Sequence, residues 1–174
     1  MWRTQILLSL MAAGCVVDAI SQVLAPLKSG SDFQSAEMRK LQADDFANPG
    51  MLWVSQGEQL WRTPRGDDRK SCADCHGESA QAMKSVAIRY PRFQLQARRV
   101  LNLEGQINSC VVERQKTPAL SYESDDLLAL TAYVSQQSRG LPMAVKPDAA
   151  ALPVYERGRS LYAQRMGQLN LACT

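Results

Sequence analysis

The sequence is short of several things, and each shortage narrows what it can be. Among its 174 residues there is one histidine, His76, and aromatic residues make up only 6%. No apolar run reaches the roughly 20 residues that a membrane-spanning helix needs. Charge of one sign is also missing, because 20 Lys and Arg against 17 Asp and Glu leave a net charge of +3. That is too little to argue for nucleic acid as a partner, and no RNA- or DNA-binding motif is present. Convincing alternation of apolar and polar residues is absent too, so the chain reads as all-α. A hydrophobic fraction of 45% is ordinary for a globular protein and argues against bulk disorder.

What is present falls into segments. Residues 1–20 read as a secretory signal, with Arg3 as the only early charge, a short apolar core over 6–13 and small residues after it. Cys15 follows Ala12-Ala13-Gly14, a weak likeness to a lipoprotein box. Ala12 stands where a large apolar residue is usually wanted, so lipidation is the lesser reading and cleavage after Ala19 is at least as plausible. Residues 21–50 are polar and broken by Pro26, Gly30 and Pro49-Gly50, which suggests an extended arm with a short helix over 35–42.

A compact domain is expected over 51–139. Its first helix covers about 51–61, with Leu52, Val54, Leu60 and Trp61 as apolar contacts. Gly57 inside that helix costs about 1 kcal/mol relative to Ala, a cost often kept where two helices cross closely. Pro64 to Asp68 is a loop. In the last helix Ser124 is an N-cap candidate and Asp125 and Asp126 suit the positive end of the dipole. Leu127, Leu130, Thr131 and Val134 come next at helical spacing, and Gly140 and Pro142 end the helix. Residues 140–153 form a linker punctuated by Pro142, Pro147 and Pro153, and a helix-like stretch covers 154–166.

That last stretch repeats the first. Gly57, Leu60, Trp61 and Cys72 recur as Gly158, Leu161, Tyr162 and Cys173, each 101 positions later. A repeat of this length means tandem domains, not a solenoid. The partners of Cys75 and His76 would fall just beyond Thr174. The expectation is therefore a chain that stops inside a second motif, with 154–174 as the start of a second domain.

The motif is Cys72-Ala73-Asp74-Cys75-His76. Two cysteines three apart can form thioethers to both vinyl groups of one haem, and the adjacent histidine is placed to bind the iron, so C-x-x-C-H marks covalent haem c. A thioredoxin-like pair would want a βαβ context, and zinc would want ligands that a one-histidine chain lacks. Attachment happens outside the cytoplasm, which agrees with the signal segment. For the sixth iron ligand the residues leave Met83, Met143 and Cys110 open. Cys110 is the cysteine that neither the signal nor a haem motif accounts for. It could equally be a buried inert thiol or form a disulfide with Cys173. The basic stretch Lys84, Arg89, Arg92, Arg98 and Arg99 reads either as a solvated helix face or as a surface meeting haem propionates or an acidic partner.

Several strings resemble SoxA, the dihaem cytochrome subunit of the SoxAX complex. They are Asp44-Asp45-Phe46-Ala47-Asn48-Pro49-Gly50-Met51-Leu52-Trp53, Ser71 to Gly77, Ile107-Asn108-Ser109-Cys110, Leu127 to Thr131, Gln137-Ser138-Arg139-Gly140 and Gly167-Gln168-Leu169-Asn170-Leu171. The likeness runs over about 29–174. It implies two c-type cytochrome domains, a periplasmic location and a heterodimer with the monohaem cytochrome SoxX. The implied activity is that of an L-cysteine S-thiosulfotransferase, joining thiosulfate to a cysteine of the carrier SoxYZ and passing electrons to a cytochrome c acceptor. It implies His76 and Cys110 as the iron ligands of the first haem, and Cys173 as part of the second. The family's catalytic residues would lie after Thr174, so this chain is expected to hold no catalytic residue and to be inactive alone. A dihaem electron carrier without transferase activity is the competing class.

Overall fold

The computed structural model describes residues 28–174. The signal segment, Cys15 and the first part of the arm lie outside the described residues. The chain divides into two compact units, Met1–Arg39 and Lys40–Thr174. In the first unit, Gly30–Phe33 forms one 3₁₀ turn closed by a reciprocal cap between Ser29 and Asp32. Helix α1, Ala36–Ala43, starts one residue later than expected and buries nothing. The arm thus holds the short helix expected of it, with one 3₁₀ turn before it.

The second unit is built on a crossing of α2, Gly50–Arg62, with α6, Asp125–Gln136. Gly57 is the reason the two approach so closely. A Cβ there would collide with the Ala129 carbonyl oxygen and lie 2.6 Å from Tyr133 Cβ. The glycine in a helix interior is therefore kept for backbone contact, as its cost suggested. Around the crossing, Leu127, Leu130 and Val111 are fully buried, each contributing about 1.5–3 kcal/mol of apolar burial. Two expectations fail here. Leu52 faces solvent at 75% exposure. Ser124 occupies the N-cap position of α6, but its side chain makes no capping bond and its hydroxyl is buried without a partner.

One buried polar pair locks α6 to the motif segment. Ser79 Oγ, in the short helix α4 (Ser79–Ala82), donates to Tyr133 Oη over 2.6 Å. Tyr133→Phe would leave the serine hydroxyl unpaired in the core, so chemical denaturation is expected to show a loss of about 1–2 kcal/mol. An unchanged midpoint would show that the pair is neutral.

Between α2 and α6 the chain forms α3, Cys72–His76, then α4, then a 3₁₀ turn at Ala87–Arg89. A hairpin comes after it, with β1 (Arg92–Gln94) antiparallel to β2 (Arg99–Leu101) and Phe93 opposite Val100. Helix α5, Leu103–Arg114, is next, capped by Asn102 Oδ1 accepting from Gly105 N at 2.9 Å. The fold is helical, as expected, but for this hairpin. Three-residue strands are too short to show an alternating pattern. Arg139, just past α6, pairs with Asp45 and donates to the carbonyls of Gln42 and Ala43, both at 3.2 Å.

Helix α7, Leu152–Ala163, starts two residues earlier than expected, because Pro153 sits within its first turn, where a missing N–H costs nothing. The turn after α7 copies the turn after α2. Arg65 and Lys70 form an isolated antiparallel bridge, and Met166 and Leu171 form the same bridge 101 positions later. Inside the two turns, Gly66 and Arg69 have φ of 69° and 47°, and Gly167 and Asn170 have 73° and 49°. The repeat is thus a repeat of backbone shape. Its packing differs. Gly57 is buried in the helix crossing, whereas a Cβ at Gly158 would meet nothing within 4 Å, and α7 buries no residue.

Candidate haem site

The turn Cys72–His76 is helical because its start is capped on both sides. Ser71 Oγ accepts from Asp74 N at 3.1 Å, and Asp74 Oδ2 accepts from Ser71 N and Oγ, each at 2.7 Å. Those bonds to Ser71 hold the Asp74 carboxyl below the usual carboxylate range. Its far end stops at Gly77, whose φ of 64° only glycine adopts freely. Trp61, from α2, steadies the same end. Its indole Nε1 donates to Gly77 O at 3.1 Å, and its ring centre lies 5.7 Å from that of His76.

A cleft of about 330 Å³ opens beside this turn, within the range of cofactor and ligand sites. Cys72, Cys75 and His76 line it from α3, and Cys110 lines it from α5. Trp61, Met83, Leu103, Ile107, Val111, Leu130 and Val134 make the wall apolar. Burial pushes the Cys72 thiol up to about 11, with the nearby Cys110 adding to the shift, so it stays a neutral thiol at ordinary pH. Cys72, Cys75, Cys110 and Cys173 are all free, which removes the disulfide between Cys110 and Cys173. No cluster of three or more His, Cys, Asp or Glu that would hold a metal ion by itself exists among the described residues. Two cysteines on one turn, a histidine beside them and a further sulfur on the same apolar wall are the donor set of a covalent haem, so these residues fit haem c.

The methionines separate. Met83 is buried at the cleft wall, whereas Met143 is 69% exposed and does not line the cleft. The basic stretch separates too. Arg89 and Arg92 reach the cleft, while Lys84, Arg98 and Arg99 do not line it. The segment is a 3₁₀ turn and a hairpin, not a helix face. Cys173 lies on the repeated turn after α7 and is exposed.

Three residues that support the site carry no local signal in the sequence. Gln115, buried at the end of α5, donates its Nε2 to Lys70 O at 3.0 Å and lies 3.9 Å from Cys72 Sγ. Gly66 is required because a Cβ there would collide with the Gln115 carbonyl oxygen. Asn108 pins the loop beyond α5 by donating to Leu120 O at 3.0 Å and accepting from Leu120 N at 2.8 Å. Its position two residues before Cys110 is plain along the chain, but its partner lies in a loop with no periodic signal.

A helical domain that presents C-x-x-C-H on a capped turn beside an apolar cleft is a c-type cytochrome domain. The model of the SoxA/TsdA cytochrome c domain matches residues 56–143, and the chain belongs to that family. It is similar to the protein named L-cysteine S-thiosulfotransferase subunit SoxA in Pseudaminobacter salicylatoxidans, at 42% identity over 83% of this chain and 51% of that one. The protein of the same name in Rhodovulum sulfidophilum is 36% identical over 84% of this chain and 51% of its own length. The crystal structure of SoxXA from P. pantotrophus superposes with a TM-score of 0.77 at 34% identity, covering 83% of this chain and 55% of that one. The chain therefore spans about half the length of the curated relatives it matches. Among the described residues no helix is long and apolar enough to cross a membrane.

Proposed function

We propose that the chain is the haem-binding part of a periplasmic SoxA subunit, carrying haem c on Cys72 and Cys75 with His76 and Cys110 as its iron ligands. The supporting observation is the cleft itself, where two thiols and a histidine on one capped turn share an apolar wall with one further cysteine. Haem bound there supplies one-electron redox chemistry. Cys72 and Cys75 would hold the porphyrin covalently as thioethers. His76 would offer a ring nitrogen and Cys110 its sulfur to the iron. Cys110 is partly buried on the apolar wall, and a thiolate ligand would favour the ferric state and a low potential.

In the assembly this subunit pairs with SoxX. The L-cysteine S-thiosulfotransferase reaction joins thiosulfate to a cysteine thiol of SoxYZ. One S–S bond forms, the thiol proton and any proton on thiosulfate are released, and two electrons leave for a cytochrome c acceptor. Residues 154–174 are the start of a second cytochrome c domain in which Cys173 takes the place of Cys72. The matching bridges and φ angles after α2 and α7 support this.

Co-expressed with SoxX in a periplasm that attaches haem, the chain is expected to stain for haem on a denaturing gel and to retain SoxX through purification. Cys72→Ala with Cys75→Ala is expected to abolish the stain. A stain kept by the double variant overturns the attachment site, and a chain that purifies without SoxX overturns the subunit assignment.

A further inference from the structure

Gln106 stands one turn before Cys110 on α5, with its amide Nε2 3.6 Å from the Cys110 sulfur. A glutamine amide has a donor end and an acceptor end, and nothing on α5 decides which of them meets the sulfur. Gln94 decides it. From β1, its Nε2 donates to Gln106 Oε1, which engages the acceptor end and leaves the donor end toward Cys110. Behind Gln94 lies Tyr90, a half-buried ring whose hydroxyl meets the Gln94 side chain. Gln94, Gln106 and Cys110 are all partly buried, so water competes weakly for these bonds. The hairpin β1–β2 thereby acquires a role, because it delivers Gln94 to α5.

We propose that Gln106, aimed by Gln94, is a positioning residue for the Cys110 sulfur, donating an N–H···S hydrogen bond that raises the reduction potential of the haem. The inference rests on Cys110 being an iron ligand. A thiolate that accepts a hydrogen bond gives less electron density to iron, so the ferric state loses some of its advantage. Charge-assisted hydrogen bonds are the stronger ones, and removing this one is expected to shift the ferric-to-ferrous equilibrium about tenfold toward ferric. For a one-electron couple that is about 59 mV.

The test is a potentiometric titration of the haem-loaded protein with electron paramagnetic resonance of its ferric state. Gln106→Leu is expected to lower the midpoint potential by about 59 mV and to change the g-value spread while the haem stays low-spin. Gln94→Ala, which frees the Gln106 amide to rotate, is expected to shift the potential the same way by a smaller factor. It decides the matter if Gln106→Leu fails to load haem. A potential in both variants within twofold of the parent equilibrium, with the thiolate spectrum intact, overturns the role of Gln106 and leaves Cys110 as ligand. A parent protein with no thiolate signature overturns the ligand assignment, and the inference with it.

Discussion

Gly57→Ala is expected to lower the melting temperature of the haem-loaded protein by about 10 °C or more, while Gly158→Ala leaves it unchanged or slightly raised. The two glycines hold the same place in the repeat, so local propensity treats them alike. In a helix interior the exchange of Gly for Ala is worth about 0.5–1 kcal/mol in favour of Ala. At Gly158 nothing lies within 4 Å of the new methyl group, and that gain stands. At Gly57 the methyl would overlap the Ala129 carbonyl oxygen, which belongs to a helix backbone and has no rotamer with which to yield. Helices α2 and α6 would have to separate, loosening the packing of Trp61 and Tyr133 that backs the haem turn. A forced rearrangement of that kind costs on the order of 3 kcal/mol, or about 10 °C and more for a domain of this size. Thermal unfolding measured by circular dichroism reads both variants. If Gly57→Ala melts within about 3 °C of the parent, the crossing tolerates the methyl and Gly57 is not what sets the helix approach. In a longer form of the chain, a similar loss at Gly158 would reveal a second helix crossing there, as a second domain requires.

Replacing Cys110 by methionine is expected to abolish the thiolate signature in electron paramagnetic resonance and to raise the midpoint potential on the order of 0.3 V, since axial ligand identity spans about 0.8 V across haem proteins. A thiolate stabilises ferric iron by its charge, whereas a neutral thioether favours the ferrous state. Cys110 lines the cleft shared with Cys72, Cys75 and His76, and Met83 is the one methionine at the same wall. Should the Cys110→Met protein keep the parent spectrum and potential, the sixth ligand is not Cys110, and Met83 becomes the residue to replace.

The parts of this site that are legible along the chain are those made by neighbours in sequence. Cys72, Cys75 and His76 share one turn, and Ser71 caps it across three residues, so the motif carries its own local geometry. The core face of α6 is equally plain, since Leu127, Leu130 and Val134 recur with the helical period. Where the partner lies far away in sequence, no such legibility exists. Ser124 has the residue type of a cap, yet its hydroxyl has no partner, because packing buries it. Leu52 has the residue type of a core contact and faces solvent, because the face that α2 turns to α6 is set by Gly57. Arg89 and Arg92 cannot be told from Lys84, Arg98 and Arg99 until the folded segment turns two of them toward the cleft.

The chemistry that one turn can hold, the helical character of the chain and its internal repeat are all written along the chain, because each depends on residues a few positions apart or on a copied string. Folding alone sets three further things: Cys110, already singled out along the chain, shares a cleft with His76, Gln94 turns Gln106 toward that sulfur, and Gly57 is locked while Gly158 is free. Those facts depend on which backbones touch. Contact between distant segments is set by the packing of the whole unit, and no short window of residues encodes it.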